Sequence, residues 1–283
     1  MRVLQFQRPF TNGMNASIVI GQPDFTSGNG DVAQNRFSFV FGGVLAKSGN
    51  LYVPDVCRIM QFQPPFTDGM NASIVFGQSD FTTMNCGPDA TPNGLYVVYD
   101  AATDSKGNLW VGDSGRNRVL EFTPPFSTNM DASLVLGQTS FTSNLSGTAQ
   151  NLFWQPRGVA FDSADNLYVA DVGNNRVLIF RPPFSTNMNA SVVIGAPDFT
   201  TKMPLTVSQN AFGVVTFGVA ADEAGNLYVS DLAGNRILQF VPPFTNGMNA
   251  AVVIGQKDFV SWTVTDPPTQ STLTQPFGIS FGP

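Results

Sequence analysis

Histidine is absent from all 283 residues, glutamate occurs only as Glu121 and Glu223, cysteine only as Cys57 and Cys86, and charged residues make up 12% of the chain. Each scarcity excludes something. Without an imidazole the chain has no side chain that changes charge near neutrality at its ordinary pKa, so His-dependent acid–base chemistry is closed to it, and no Ser or Cys nucleophile has its usual base. No apolar run approaches the ~18 residues needed to span a bilayer, and Met1-Arg2-Val3-Leu4 enters a strand directly, without the apolar segment of a signal peptide. The net charge is −6 and no run of Lys or Arg occurs, so the electrostatic footprint of a phosphate-backbone binder is missing and nucleic acid is not an expected partner. Cys57 falls at a predicted turn and Cys86 in a variable loop, at unrelated positions of the repeat described below; spacing alone does not place their Cα atoms within bonding range, so two free thiols are favoured over a disulfide.

What the chain has in quantity is 25 Phe, 27 Gly and 20 Pro within a 42% hydrophobic composition, which suits a turn-rich globular β protein rather than a disordered tail. These residues recur in order. A Phe-Gly-Val-Ala-like segment stands at Phe41–Ala46, Arg157–Phe161, Phe217–Ala221 and Phe277–Phe281, with a looser version at Leu95–Asp104. Asn-Leu-Tyr/Trp-Val-x-Asp follows at Asn50–Asp55, Asn108–Asp113, Asn166–Asp171 and Asn226–Asp231. A third motif, Arg-Val/Ile-Leu/Met-x-Phe, begins at Arg2, Arg58, Arg118, Arg176 and Arg236; the fourth, Val-Ile-Gly-Gln-x-Asp-Phe, centres on Gly21, Gly77, Gly137, Gly195 and Gly255. Both series advance in the same steps of 56, 60, 58 and 60 residues, which identifies tandem units of roughly 58 residues.

Each motif is short, rich in β-branched and aromatic residues, and bounded by Gly, Asn, Asp or Pro, which reads as a strand. Four strands per unit make a propeller blade. Hairpin signals such as Lys106-Gly107-Asn108 join the first two strands, and Pro-Pro-Phe-Thr/Ser-x-x-Met-Asn/Asp-Ala joins the third to the fourth. The succession Gly-Val-Ala, Asn-Leu-Tyr-Val-Ala-Asp and Gly173-Asn-Asn-Arg-Val-Leu178 resembles the NHL repeat over nearly the whole chain, though the Pro-Pro-Phe segment is longer than ordinary NHL units carry. The resemblance implies a propeller whose first strand lines the central channel and whose fourth lies at the rim. The expectation is therefore an all-β fold, a β-propeller of four-stranded antiparallel blades in five units, the closing blade incomplete. It is a single domain over 1–283, with blades near 37–82, 95–142, 156–200 and 214–259 and a closing blade split between 276–283 and 1–26.

The repeated Asp55, Asp113, Asp171 and Asp231 with Arg58, Arg118, Arg176 and Arg236 suggest a carboxylate ring at first sight, but presence in every blade marks a fold element: a carboxylate beside a tight turn accepts backbone N–H bonds and pairs with the guanidinium. Gln-x-Asp-Phe reads likewise as turn cap plus packing, and the sequons at Asn15, Asn71 and Asn189 as turn chemistry. What varies between repeats is the connection from blade to blade, Thr83–Gly94, Ser143–Pro156, Thr201–Val214 and Ser261–Pro276, and function concentrates on such loops. Trp154 and Trp262, with Phe153 and Phe212 nearby, are the candidate binding residues, though the two Phe match each other in position, so for them packing beneath the loop is the favoured reading.

Enzymes of related propeller architecture, including amidating lyases, streptogramin lyases and lactonases, rely on His or on metal sites with His, Asp, Glu and Asn. The reading is therefore a non-catalytic scaffold with no cofactor and no metal, whose loop-bearing face meets a protein or glycan partner; a composition poor in charge and rich in Asn, Thr, Ser and Gly favours an extracellular or cell-surface setting. Two rivals are a structural segment of a longer secreted or surface repeat protein and an oxygen-ligand calcium enzyme of lactonase or lyase kind. Because the stretch corresponding to Ala224–Asn235 has no counterpart after Phe277–Phe281, the closing blade is expected to lack its second strand and to invite self-association.

Overall fold

The chain was analysed as a computed structural model that describes residues 1–28, 30–202, 205–213, 216–264, 267 and 269–281. Val214, the Phe217 side chain and Gly282-Pro283, which the motifs above include, lie outside the described residues. Among the described residues there is no helix long and apolar enough to cross a membrane.

Four antiparallel four-stranded sheets follow one another along the chain. Blade 1 holds β3 (Val44–Leu45), β4 (Leu51–Asp55), β5 (Arg58–Phe62) and β6 (Ile74–Phe76), in that spatial order. Blade 2 holds β7 (Val98–Thr103), β8 (Leu109–Asp113), β9 (Arg118–Phe122) and β10 (Leu134–Leu136). Blade 3 holds β11 (Pro156–Phe161), β12 (Leu167–Asp171), β13 (Arg176–Phe180) and β14 (Val192–Ile194), and blade 4 holds β15 (Thr216–Ala221), β16 (Leu227–Asp231), β17 (Arg236–Phe240) and β18 (Val252–Ile254). A two-stranded sheet of β1 (Val3–Gln5) and β2 (Ile18–Ile20) supplies the third and fourth strands of the closing unit.

The period of two explains how the sheets stack. In β12, Leu167 and Val169 pack with Trp110, Val119 and Leu134 of blade 2, while Tyr168 and Ala170 point the other way, against Phe212, Val219 and Val229 of blade 4. The same interleaving joins Tyr52 and Phe76 of blade 1 to Leu109 and Phe122 of blade 2, and Ile20 of the closing unit to Val53 and Met60 of blade 1. Both faces of each central strand are thus apolar because each sheet is covered twice, which is the packing of a propeller. Of the alternating second-strand residues, Val53, Leu109, Val111, Leu167, Val169, Leu227 and Val229 are buried and Leu51 is half-buried.

The cysteine reading is corrected. Cys57 and Cys86 form a disulfide, with Cα atoms 5.6 Å apart. Cys57 occupies the place in the blade-1 hairpin where Asn117 and Asn235 stand in blades 2 and 4; these donate from Nδ2 to the following inter-blade loop, at Asn144 Oδ1 (3.2 Å) and the Trp262 carbonyl (3.0 Å). The loop therefore passes over the hairpin turn in each of these units, and in blade 1 the contact is covalent. Spacing within the repeat hides this, since the two positions meet only when the loop folds back across the blade.

Candidate functional site

The hairpin between second and third strands ends in an Asp paired in register with an Arg: Asp55 with Arg58, Asp113 with Arg118, Asp171 with Arg176, and Asp231 with Arg236. These are buried ion pairs, Nε to Oδ2 distances being 2.9, 2.7, 2.7 and 2.8 Å. The remaining N–H groups of each guanidinium reach out to the inter-blade loops. Arg118 donates to the carbonyls of Phe141 (2.5 Å), Thr91 (3.0 Å) and Gly94 (2.8 Å), and Arg176 to those of Thr148 (2.8 Å), Leu152 (3.1 Å) and Phe199. The carboxylates accept backbone N–H bonds from the preceding loop, as Asp55 does from Ser38 (2.9 Å) and Phe39 (2.7 Å). The geometry of this quartet is that of a latch fixing two loops to one hairpin, since every group faces protein.

Phe153 and Phe212, offered above as candidate binding residues, do not face solvent: both are fully buried. Each ring lies over the glycine that ends the fourth strand of the preceding unit, Gly137 (φ +84°) and Gly195 (φ +89°), where a Cβ would overlap the ring. Phe37 over Gly21, Leu95 over Gly77 and Leu273 over Gly255 repeat the arrangement, so these positions plug the space beneath the loop.

The two tryptophans lie on the loops, 38% exposed at Trp154 and 63% at Trp262. The Trp154 ring covers Gly173, its main-chain N–H donates to Asp171 Oδ1 (2.7 Å), and Lys202 Nζ sits 4.3 Å above the ring centre. Trp262 stands between Val260 and Val264, all three exposed, at a cleft of about 710 Å³ walled by Leu232, Ala233 and Gln275.

Four side chains from the innermost segments of the units come together near the propeller axis. Phe41, Tyr99, Arg157 and Phe277 occupy equivalent repeat positions. The Phe41 ring lies 4.4 Å from Tyr99 and 6.2 Å from Phe277, and the Arg157 guanidinium caps Tyr99 at 4.4 Å. Beside them is a residue the motif reading passed over. Asp100 stands where the sibling repeats have Gly42, Gly158, Gly218 and Gly278; its Oδ2 accepts the Val159 N–H (3.3 Å), and burial raises its pKa to about 7. The signal was present as the one aromatic-Gly pair replaced by Tyr-Asp. Among the described residues no three Cys, Asp or Glu side chains converge in a way that could hold a metal ion.

Residues 153–180 match the family model described as NHL repeat. No curated protein matches the chain. Among solved structures, a catalytically inactive virginiamycin B lyase from Staphylococcus aureus with quinupristin is 12% identical, over 72% of this chain and 56% of that one, with a TM-score of 0.43. A protein of unknown function from Bacteroides caccae is 11% identical over 76% and 60%, TM-score 0.45, and a gluconolactonase-type protein 15% identical over 75% and 61%, TM-score 0.44. The chain thus spans less than two thirds of the length of each of these three.

Proposed function

We propose that this NHL-repeat β-propeller is a non-catalytic recognition scaffold that presents its loop-bearing face to a protein or glycan partner. The observation that carries the reading is the exposed run Val260, Trp262 and Val264 at the mouth of an open cleft, on a loop held down by Asn235 at the Trp262 carbonyl and by Arg236 at the Phe259 carbonyl. A large aromatic kept in water on a fixed loop has no folding role to account for it, and rigid aromatic anchors of this kind dominate binding interfaces. The absence of histidine from the sequence also supports the non-catalytic reading.

The test is capture of partners on the immobilised chain, from surface extracts of the source cells, with wild type and W262A side by side. A species retained by wild type and lost from W262A at unchanged melting temperature supports the reading; equal retention by both refutes it. A second reading, hydrolysis or elimination at the axis, is favoured by the acid Asp100 alone. It predicts turnover on a lactone and ester panel that disappears in D100N, and such turnover would replace the scaffold reading.

A further inference from the structure

Blade 2 departs from the latch described above in one way: it has two guanidinium groups for one carboxylate. Arg118 takes Asp113 Oδ2 at 2.7 Å and the Tyr96 N–H takes Oδ1 at 2.7 Å, so the pair is complete without Arg116. Arg116, in the short 3-10 turn Ser114–Arg116, is nevertheless 3% exposed. Its Nη2 donates to the Gly87 carbonyl (2.7 Å), as Asn174 Nδ2 does to Gly147 at the same position of blade 3 (2.8 Å). Its Nε and Nη1 have no hydrogen-bond acceptor, Nη1 lying 3.9 Å from the engaged Asp113 carboxylate. A buried guanidinium with two unused donors is costly in a fold that needs only the single amide its sibling supplies.

The Arg116 side chain lines a cleft of about 310 Å³ between blades 1 and 2. Around it stand Asn85, Asp89, Thr91 and Asn93, with the Gln78 amide engaged by Cys57 and Asn85 beneath them, so the wall is made of amides and hydroxyls with one carboxylate at the exposed side. The loop that carries most of them is fixed on one side by the Cys57–Cys86 bond and on the other by Arg116 itself. No other blade has this combination: the equivalent of Arg116 is Asn174 in blade 3 and Gly234 in blade 4, and the blade-1 hairpin is too short to have one. Repetition identifies fold elements; this constellation occurs once.

We propose that this cleft binds a hydroxylated carboxylate of monosaccharide size, a sugar acid, with the carboxylate on Arg116 and the hydroxyls on the surrounding amide and hydroxyl side chains. A guanidinium cation matches a carboxylate in charge, the uncharged polar wall matches several hydroxyls, and Asp89 accepts a hydroxyl while repelling a second negative charge, which favours a monoanion. The volume is at the lower end of small-molecule sites. The proposal rests on the reading of the loop-bearing face as a recognition surface, but on residues separate from Trp262.

Titration calorimetry on the whole chain with D-glucuronate, D-glucose and acetate tests it. The expected result is saturable binding of glucuronate, at least about tenfold tighter than either of the other two, and at least about tenfold weaker in R116N. R116N keeps the amide found at Asn174, so its melting temperature should match wild type. Absence of glucuronate binding at concentrations on the order of 10 mM, undiminished binding by R116N, or acetate binding as tightly as glucuronate would each overturn the proposal. W262A separates the two readings: glucuronate binding should survive in it, and if partner capture ignores Trp262 while glucuronate binds Arg116, only the scaffold reading falls.

Discussion

A single side chain shows how position in the ring changes its chemistry. Asp100 has the same carboxyl as Asp24 or Asp198, yet burial beside the axis raises it to about 7, whereas the Thr and Ser hydroxyls and N–H groups of exposed turns hold Asp24 and Asp198 at about 2. The signs of their pH effects are opposite. A carboxyl raised in the folded state favours folding fully below its ordinary range and loses that contribution as pH climbs; one that is lowered favours folding above its ordinary range and loses it as pH falls. Between about pH 4 and about 7, wild type should therefore lose melting temperature relative to D100N, and a pH series of thermal melts that runs parallel for both would contradict the placement of Asp100. The aromatics divide in the same way. F153A removes a buried ring and should cost about 3–5 kcal/mol, while W262A should stay within roughly 0.5 kcal/mol of wild type in a denaturant melt.

At the scale of the element, a blade is held by contacts that the repeat encodes and tuned by those it does not. Gly137 illustrates the encoded kind: φ of +84° and the Phe153 ring overhead both forbid a side chain, so G137A should destabilise by about 2–5 kcal/mol, measurable as a shift in denaturant midpoint. This much was legible in the sequence, because the Gly of Val-Ile-Gly and the Arg of the third strand march in equal steps, and the period-two pattern of Leu167, Tyr168 and Val169 announces a strand covered on both faces. The Cys57–Cys86 bond was not legible, because it joins a turn to a loop that returns from 29 residues away, and no local pattern reports where such a loop lands. Nor were Arg116 and Asp100: each is a departure from the motif, and motif reading discards departures by design. The disulfide closes a loop long enough to lower the unfolded chain's entropy, so C86S, or reduction of wild type, should cost at most about 3–4 kcal/mol. Equal melts with and without reductant would show that the bond contributes nothing.

At the scale of the whole ring, the closing unit is where encoded and observed structure part. Phe277 lies with its ring nearly parallel to Phe41 at 6.2 Å and accepts from Ser230 Oγ at its carbonyl (3.0 Å), which ties the innermost part of the seam together. Farther out it is open. Among the described residues β1 pairs only with β2, and its other edge has no partner strand. Arg2, the fifth arginine of the series, is exposed and donates to the Phe25 carbonyl, and among the described residues it forms no ion pair like those of Arg58, Arg118, Arg176 and Arg236. Val252 and Ile254 are 43% and 44% exposed, whereas Val192 and Ile194 at the same places in blade 3 are buried under blade 4. A free strand edge beside uncovered apolar side chains is a template for another chain, so self-association through this seam is expected, visible as concentration-dependent sedimentation and suppressed by V252K. The stronger test supplies what the seam lacks. A Gly-Asn-Leu-Tyr-Val-Ser-Asp segment, copied from Gly225–Asp231 and fused beyond Pro283 through a short turn, can pair with β1 on one side and with 277–281 on the other. That strand would draw the β1–β2 sheet toward blade 4, cover Val252 and Ile254, and offer Arg2 its carboxylate. The fused chain should melt higher, by roughly 2–4 °C for each kcal/mol gained, should protect the amides of Val3–Gln5 from hydrogen exchange, and should sediment as a monomer. An unchanged melting temperature with unchanged exchange at β1 would mean that the seam is not a missing strand, and the five-unit account of the ring would fail with it.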